Sequence, residues 1–467
     1  MTSPENDDPK VNLLDLAASC LSSAIVAADQ ITNLARTTND HARLKIDGSF
    51  VTDADMAAQQ IIVDALRKVS NGVRIVGEEN EEEMRSRAIT GHESKLETIF
   101  QLARKEILIR YNGNGNGNGK GKHQFHGDKL PLAQLRGWCD VDKKFQQQQQ
   151  KQSEVVEEAS LAETIAKQSP PKDDRPTNLY LYSRDMLRQE MDEFGEVIEN
   201  HRQRENQQLL QARLAETMAN PSPPKEDGST HNKMKEYIID THRVSIFIDP
   251  LDGTNSYAKG DYDPVSILVA IVVDQTPVFG VIGKPFGYPG QTSVLDTGCV
   301  AVYGGTLLGD AYIAGGDTCN SKSAPVTPVA EDLPEISLKN LPRAVISKSR
   351  SHGIVQDFVT HLGEMGMIHP EPLLVSGAGE KSLRIITRFE NEGLWFFPKG
   401  GTSLWDVAAS DALLRATGGR LTDKYGKDMD YSKSRTEAEN ENGVVACYDQ
   451  RLHAECIRLF SEGSWQD

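Results

Sequence analysis

Four short stretches place acidic residues where a strand ends or a helix begins: Thr52-Asp53-Ala54-Asp55, Gly77-Glu78-Glu79-Asn80, Asp249-Pro250-Leu251-Asp252-Gly253-Thr254 and Trp405-Asp406-Val407-Ala408-Ala409. Carboxylates drawn from separate segments suit Mg2+, a hard ion that takes oxygen ligands in near-octahedral geometry and keeps waters and phosphate oxygens in its shell. In the third stretch the proline predicts a turn just after a buried strand, so that two carboxylates and the carbonyl of Leu251 face one point. Gly253 lets a backbone approach a ligand closely. A helix starting near Thr254 would add free N–H groups for an anion beside the metals. Each stretch also has a plain structural reading. Asp-Pro-Leu-Asp-Gly is a good turn sequence, Glu-Glu-Asn before an acidic run suits a solvated face, and Asp53 or Asp55 suits a helix cap.

The elements that must carry these residues follow from hydrophobic spacing. Leu13, Leu14, Ala17, Leu21, Ala24, Ile25 and Ala28 predict an amphipathic helix, and Asp53 to Lys68 a second one with Ile61, Ile62, Ala65 and Leu66 on its buried side. Val73 to Val76 predicts a short strand ending at Gly77, and Val244 to Ile248 a β-branched strand running into the Asp-Pro turn. Val265 to Val273 pairs with Val278 to Ile282 as a hairpin across Asp-Gln-Thr-Pro. Further strands are expected at Cys299 to Tyr303, Ala311 to Ala314, Ala344 to Ser347 and Leu394 to Phe397, set among helix patterns. Between about Asn112 and Lys235 the pattern breaks into an Asn-Gly repeat, the glutamine run Gln146 to Gln150, two Ser-Pro-Pro-Lys joints and charge-dense stretches. Such tracts bury too little apolar surface to offset chain entropy, apart from a polar, solvated helix expected over Met186 to Met218. The resulting division is an N-terminal α+β half at 11–80 and 244–300, a low-complexity, largely disordered insertion at 81–243, and a C-terminal α/β half at 301–467.

Composition narrows the function. The 467 residues hold 51 Lys+Arg against 68 Asp+Glu, a net charge of −17, which opposes a broad electrostatic grip on a nucleic-acid polymer. A phosphate-bearing ligand must be held locally. The longest apolar run, Val265 to Val273, is about half of the roughly 20 residues a membrane helix needs, so no spanning segment or membrane partner is expected. The acidic start MTSPENDDPK lacks the patterns of a signal or transit peptide, and a soluble cytoplasmic protein is the expectation. The six cysteines lie far apart without a Cys-x-x-Cys pair, as reduced structural thiols do.

Taken together and in this order, the four acidic stretches resemble the inositol monophosphatase superfamily of magnesium-dependent, lithium-sensitive phosphomonoesterases. Its pattern is an Asp at the head of the second helix, then Glu-Glu, then Asp-Pro-Ile/Leu-Asp-Gly/Ser-Thr, then Trp-Asp-x-Ala-Ala. Here these are Asp55, Glu78-Glu79, DPLDGT and WDVAAS, with ALLRATGGRLTD closing the last helix. The resemblance covers nearly all of the two core segments and none of the insertion. It implies an α/β fold, a layered α/β/α/β/α sandwich. It further implies two or three Mg2+ ions held by Glu78, Asp249, the carbonyl of Leu251, Asp252 and Asp406, with inhibition by Li+. Asp55 and Thr254 would orient and deprotonate the attacking water, with Glu79 behind them.

Two segments of the second half bear on the substrate. Ser347-Lys348-Ser349-Arg350-Ser351-His352 resembles a strand-end segment of the 3′(2′),5′-bisphosphate nucleotidases in which a histidine contacts the nucleotide. Ser376-Gly377-Ala378-Gly379-Glu380-Lys381 resembles a segment shared by those nucleotidases and the inositol polyphosphate 1-phosphatases, where a small-residue turn at a helix N-terminus and a lysine suit a second, non-reacting phosphate. The residues implied to contact substrate are Gly253, Thr254, His352, Gly379, Lys381 and Asp406. An exposed helix-end histidine and an ordinary surface lysine remain the structural readings of His352 and Lys381. Leu404 stands where both subfamilies often carry Lys before Trp-Asp. The DGT form favours the nucleotidases, and the long excursion before DPLDGT is closer to the 1-phosphatases. A small phosphate ester is therefore expected as substrate, first a nucleoside 3′(2′),5′-bisphosphate of the kind met in sulfur assimilation. Inositol polyphosphate 1-phosphatase or inositol monophosphatase activity comes second, and a non-catalytic scaffold whose insertion binds an unidentified partner third.

Overall fold

After a short strand, β1 (Lys10–Asn12), the chain enters α1 (Leu13–Arg36), started by the Asn12 side chain, which accepts the N–H of Leu14 at 2.9 Å. The computed structural model describes residues 9–36, 42–44, 50–70, 72–80, 91–114, 237–287, 299–315, 341–463 and 465, all within one compact unit. The low-complexity tracts and the polar helix expected over Met186 to Met218 lie outside the described residues. Rather than amphipathic, α1 is buried on nearly every side through Ala28, and Ser22 and Ser23 turn their hydroxyls back to the carbonyls of Ser19 and Cys20. By length and composition α1 is apolar enough to cross a membrane, although polar residues interrupt its apolar run. Within the fold, 78% of its most apolar window is buried.

The reason for that burial is a helix the composition hid. After β2 (Arg43–Leu44), β3 (Phe50–Val51), α2 (Asp53–Val69) and β4 (Arg74–Gly77) comes α3 (Glu93–Asn114), inside the segment assigned to the insertion. Its Leu96, Ile99, Ala103 and Ile107 recur at helical spacing and join the same core as α1 and α2. Buried Glu106 accepts from Tyr303 Oη at 2.8 Å and from Arg110 Nε at 2.7 Å. At the other end, β5 (Ile238–Asp240) pairs antiparallel with β1. The bounds 81–243 are therefore too wide on both sides.

The remaining strands of the first sheet are β6 (Val244–Asp252), β7 (Ser266–Val273), β8 (Thr276–Lys284), β9 (Val300–Gly305) and β10 (Asp310–Gly315), with the single-turn helix α4 (Thr254–Tyr257) between β6 and β7. They order as β10-β9-β8-β7-β6-β4, with β4 and β6 parallel and every other pair antiparallel. The expected hairpin forms, but its loop is only Asp274-Gln275, both left-handed, as a twisted two-residue connection requires. Because β9 and β10 belong to this sheet, the boundary expected at 300/301 cuts through a hairpin, and the first half extends to Gly315.

The second sheet runs β12-β11-β13-β15-β14, its first three strands parallel. In chain order its elements are β11 (Arg343–Ser347), α5 (Ile354–Glu364), β12 (Leu373–Val375), α6 (Ala378–Thr387), β13 (Glu392–Phe397), α7 (Leu404–Thr417), β14 (Arg420–Thr422), β15 (Val444–Cys447) and α8 (Gln450–Glu462). Strand alternation sorts the core into layers. Ile246 and Ile248 face the α1–α3 side, while Phe247 joins the cluster containing α7. In β13, Lys381 of α6 lies over the Trp395 ring, whereas Phe396 packs on Phe358 of α5 at 4.5 Å and Phe460 of α8 at 5.3 Å. The result is the α/β/α/β/α sandwich that the motifs imply.

Candidate functional site

The Asp249-to-Thr254 segment builds the centre of the site by an irregularity. β6 does not turn at Pro250; it runs on to Asp252 with a register shift, pairing Asp249 with Leu268 but Asp252 with Ser266. Three steps on β6 thus oppose two on β7, a bulge that accommodates a proline lacking an N–H. The extra residue also changes the side-chain parity, so Asp249 and Asp252, which a regular strand would send to opposite faces, turn toward the same one. The turn comes one residue later, at Gly253, whose φ of 90° is left-handed. The helix expected at Thr254 is a single turn.

Two more acids arrive at the N3 position of helices. Asp55 Oδ2 accepts the N–H of Thr52 at 2.7 Å and its hydroxyl at 2.6 Å, and Asp406 Oδ2 accepts the N–H of Ser403 at 2.7 Å. The Thr-x-x-Asp and Ser-x-x-Asp spacings are capping signatures, so the structural reading holds for Asp55 and the functional geometry is built on top of it. Asp53 instead pairs with Arg43 at 3.3 Å. The other oxygen of Asp55 accepts from Thr254 Oγ1 at 2.9 Å, which lies equally far from the carbonyl of Leu251. Glu78 continues the β4–β6 ladder, donating its N–H to Ile248 O at 3.0 Å. Buried Gln59, which the sequence did not single out, holds the backbone of Glu79 from both sides, accepting its N–H at 2.8 Å and donating to its carbonyl at 2.6 Å.

Electrostatics show that these groups form one cluster. Burial pushes the Asp55 carboxyl up to about 8, opposed by the Thr52 hydrogen bond and reinforced by Glu78 and Glu79. Burial pushes Asp406 up to about 7, with Asp252 and Glu78 adding to it. Asp249 is raised well above the usual carboxylate range by burial and by the charges of Glu78, Asp252 and Asp406. Among the described residues no three acidic, histidine or cysteine side chains already surround one point as a finished chelate. Asp249 instead accepts the N–H of Leu251 at 3.1 Å and feels the charges of Glu78, Asp252 and Asp406. The donor set is all oxygen and has an excess of negative charge, which fits a small hard cation.

The segment expected to hold a second phosphate serves this cluster directly. The N–H groups of Ala378 and Gly379 donate to Asp252 at 3.0 and 2.7 Å, and Ser266 Oγ donates to it at 2.9 Å. The anion at the N-terminus of α6 is the Asp252 carboxylate. Gly377 and Gly379 are required by that approach: a Cβ would lie 2.9 Å from Asp252 Oδ2 in the first case and 2.2 Å from Ser266 Oγ in the second. The Gly379 N–H thus positions Asp252. Lys381 is neither a surface lysine nor an outward-reaching phosphate contact. It is 5% exposed, donates to the carbonyl of Gly377, and lies 5.3 Å from the centre of the Trp395 ring. Burial lowers its pKa to about 8, with Asp252 and Asp406 opposing and Arg350 reinforcing. His352 is exposed, at the start of α5, in the loop that follows β11 with exposed Lys348 and Arg350.

Known proteins are similar to part of this chain. The sequence model of the inositol monophosphatase family matches residues 182–463. A 3′(2′),5′-bisphosphate nucleotidase 1 of Dictyostelium discoideum is 30% identical over 221 residues, 46% of this chain and 62% of that protein. An inositol monophosphatase 3 of Danio rerio is 29% identical over 214 residues, 44% of this chain and 51% of that protein. The chain thus spans less than two thirds of either relative. Among solved structures, the extragenic suppressor protein suhB of Bartonella henselae superposes with a TM-score of 0.43 at 12% identity, covering 95% of this chain and 98% of that one. The family match begins within the segment read as insertion and leaves out Asp55, Glu78 and Glu79. Those three reach the site through tertiary structure. With the DPLDGT and WDVAAS stretches inside a match that takes in well over half of its residues, this chain belongs to the inositol monophosphatase family.

Proposed function

We propose that the chain is a Mg2+-dependent, lithium-sensitive phosphomonoesterase acting on the 3′(2′)-phosphate of nucleoside 3′(2′),5′-bisphosphates. The observation that carries this reading is the convergence of acids from four distant segments, Asp55, Glu78, Asp249 with Asp252, and Asp406, into one mutually repelling cluster. Glu78, Asp249, Asp252, Asp406 and the carbonyl of Leu251 would hold the ions. Mg2+ there supplies Lewis acidity, acidifying water and neutralising phosphate charge. Thr254 Oγ1 positions the attacking water and relays its proton to Asp55 Oδ1, 2.9 Å away. A carboxyl that binds a proton near neutrality suits a general base. Gln59 fixes the Glu79 backbone, and the amides of α6 fix Asp252, so that the acids meet substrate already oriented.

The substrate follows from the relatives and from charge. The loop after β11, at the C-terminal ends of parallel strands, carries exposed Lys348, Arg350 and His352. Arg350 is close enough to the cluster to depress the pKa of Lys381. That loop, with His352, is the better place for a second phosphate than Gly379 and Lys381. The Danio relative favours an inositol phosphate as the second reading. Phosphate release from adenosine 3′,5′-bisphosphate, inositol 1,4-bisphosphate and inositol 1-phosphate, each with Mg2+ and with or without Li+, tests both. Fastest, lithium-sensitive release from the nucleotide is expected. Preference for an inositol ester would install the second reading, and no release from any of the three would overturn the enzyme assignment.

A further inference from the structure

Glu78 lies at the end of the first sheet and Asp406 at the head of a helix beyond it, so something must hold their separation. One segment touches the backbone of Glu78 and the residues that lead into α7. Arg74 of β4 reaches out with its guanidinium to the carbonyls of Tyr431 at 2.5 Å, Ser432 at 2.9 Å and Lys433 at 3.0 Å, while its Nε donates to Ser245 Oγ at 2.8 Å. From the same segment Arg435 reaches back: its Nε donates to the carbonyls of Gly77 at 3.0 Å and Glu78 at 3.1 Å, and its Nη2 also donates to Glu78 O. Three residues on, the carbonyl of Ala438 accepts the N–H of Leu404 at 2.8 Å, the first residue of α7, and Asn440 N–H donates to Thr402 O at 2.7 Å. Tyr431 Oη closes the other end on Asp411 of α7 at 3.0 Å.

We infer that Tyr431–Asn440 is a strut that sets the spacing of Glu78 and Asp406, and that Arg435 is its positioning residue for metal binding. This rests on the metal-site reading above. A charged guanidinium on two successive carbonyls restrains the peptide that aims the Glu78 side chain, while Arg74 anchors the segment on which Arg435 is mounted. Arg435 is exposed and touches none of the acids' side chains in any of these bonds, so its loss would act on where Glu78 sits without removing a metal ligand.

The test is calorimetric titration of the full chain with Mg2+, beside the Mg2+ dependence of phosphate release. Removing a group that orients a ligand should weaken Mg2+ binding by about tenfold in Arg435→Ala, with kcat at saturating Mg2+ unchanged. Arg435→Lys, which keeps the charge and a donor, should recover part of the loss, and it carries the test should the alanine variant not fold. Thr436→Ala, in the same turn, should bind Mg2+ as the wild type does. Glu78→Gln separates the two ideas. Weak binding in Glu78→Gln beside wild-type affinity in both Arg435 variants would overturn the strut alone. No Mg2+ binding by the wild type, or none lost in Glu78→Gln, would overturn the metal site and the strut with it.

Discussion

Asp249 and Asp252 sit three residues apart on one bulged strand and do different work. Asp252 is satisfied by two amides and a hydroxyl, whereas Asp249 is crowded by three other acids. Asp252→Asn would turn an amide NH2 toward N–H donors and should lower the metal-free melting temperature, the loss corresponding to about 1–3 kcal/mol. Asp249→Asn relieves repulsion and should keep or raise it. Both should abolish Mg2+-dependent phosphate release. Equal destabilisation by the two would refute the division of labour. The same crowding sets a pH dependence. Asp55 and Asp406 hold protons up to about 8 and about 7 in the fold, and Asp249 is raised as well. Unfolded, they release them near pH 4. Their contribution to metal-free stability is therefore fully present below about pH 4 and is lost as pH rises toward 7–8. Because Mg2+ must displace those protons, its stabilising effect should grow over the same window. Thermal melts in chelator and in Mg2+ between pH 5 and about pH 8 measure both trends; a Mg2+ shift independent of pH would count against proton-loaded acids.

At the scale of elements, α3 decides whether the first layer is complete. Ile107 is fully buried among α1 and the first sheet, while Ile109, two positions on, is 42% exposed. Ile107→Ala should cost about 2–5 kcal/mol in denaturant unfolding. Ile109→Ala should stay within about 0.5 kcal/mol. Similar small effects for both would return α3 to the periphery and leave the burial of α1 without a cause. Helix α6 shows how an element can be recruited by the site. Its N-terminal amides are spent on Asp252, and its first turn carries Glu380, whose buried carboxylate meets Lys284 of β8 at 2.8 Å and Arg384 at 2.7 Å. A helix held so firmly at its start positions an acid from another sheet at little entropic cost.

For the whole molecule, the long interruption enters and leaves at neighbouring points. Tyr111, near the end of α3, hydrogen-bonds Tyr237 at 2.8 Å, their rings edge to face at 4.7 Å. Replacing residues 115–236 by a short Gly/Ser linker should therefore keep cooperative unfolding and phosphate release, since a linker needs only to bridge the two ends of a closed contact. The family match from residue 182 onward makes the experiment informative. Loss of the cooperative transition in the shortened chain would show that part of that stretch belongs to the core.

The motifs were legible because their chemistry constrains local sequence: a proline interrupts a regular strand, an N3 acid has its Thr or Ser three residues before, and a buried strand has its β-branched run. From these the acids, most strands and the first two helices follow, while the layered fold came from the resemblance that the acidic stretches carry together. Helix α3 was not legible, because its four buried apolar positions are set among charges and border a low-complexity tract that dominates any window average. Nor were the partners of Gly379 and Lys381, since a small-residue turn at a helix N-terminus attracts any anion and only the approach of β6 determines that the anion is Asp252. Sequence specifies which groups can act and which local shape each takes. The meeting of Asp55 with Thr254, 199 residues away, depends on how α2 packs on the first sheet, and that of Arg435 with Glu78, 357 residues away, on how the two sheets stack, long-range packing outcomes that no short stretch of residues encodes.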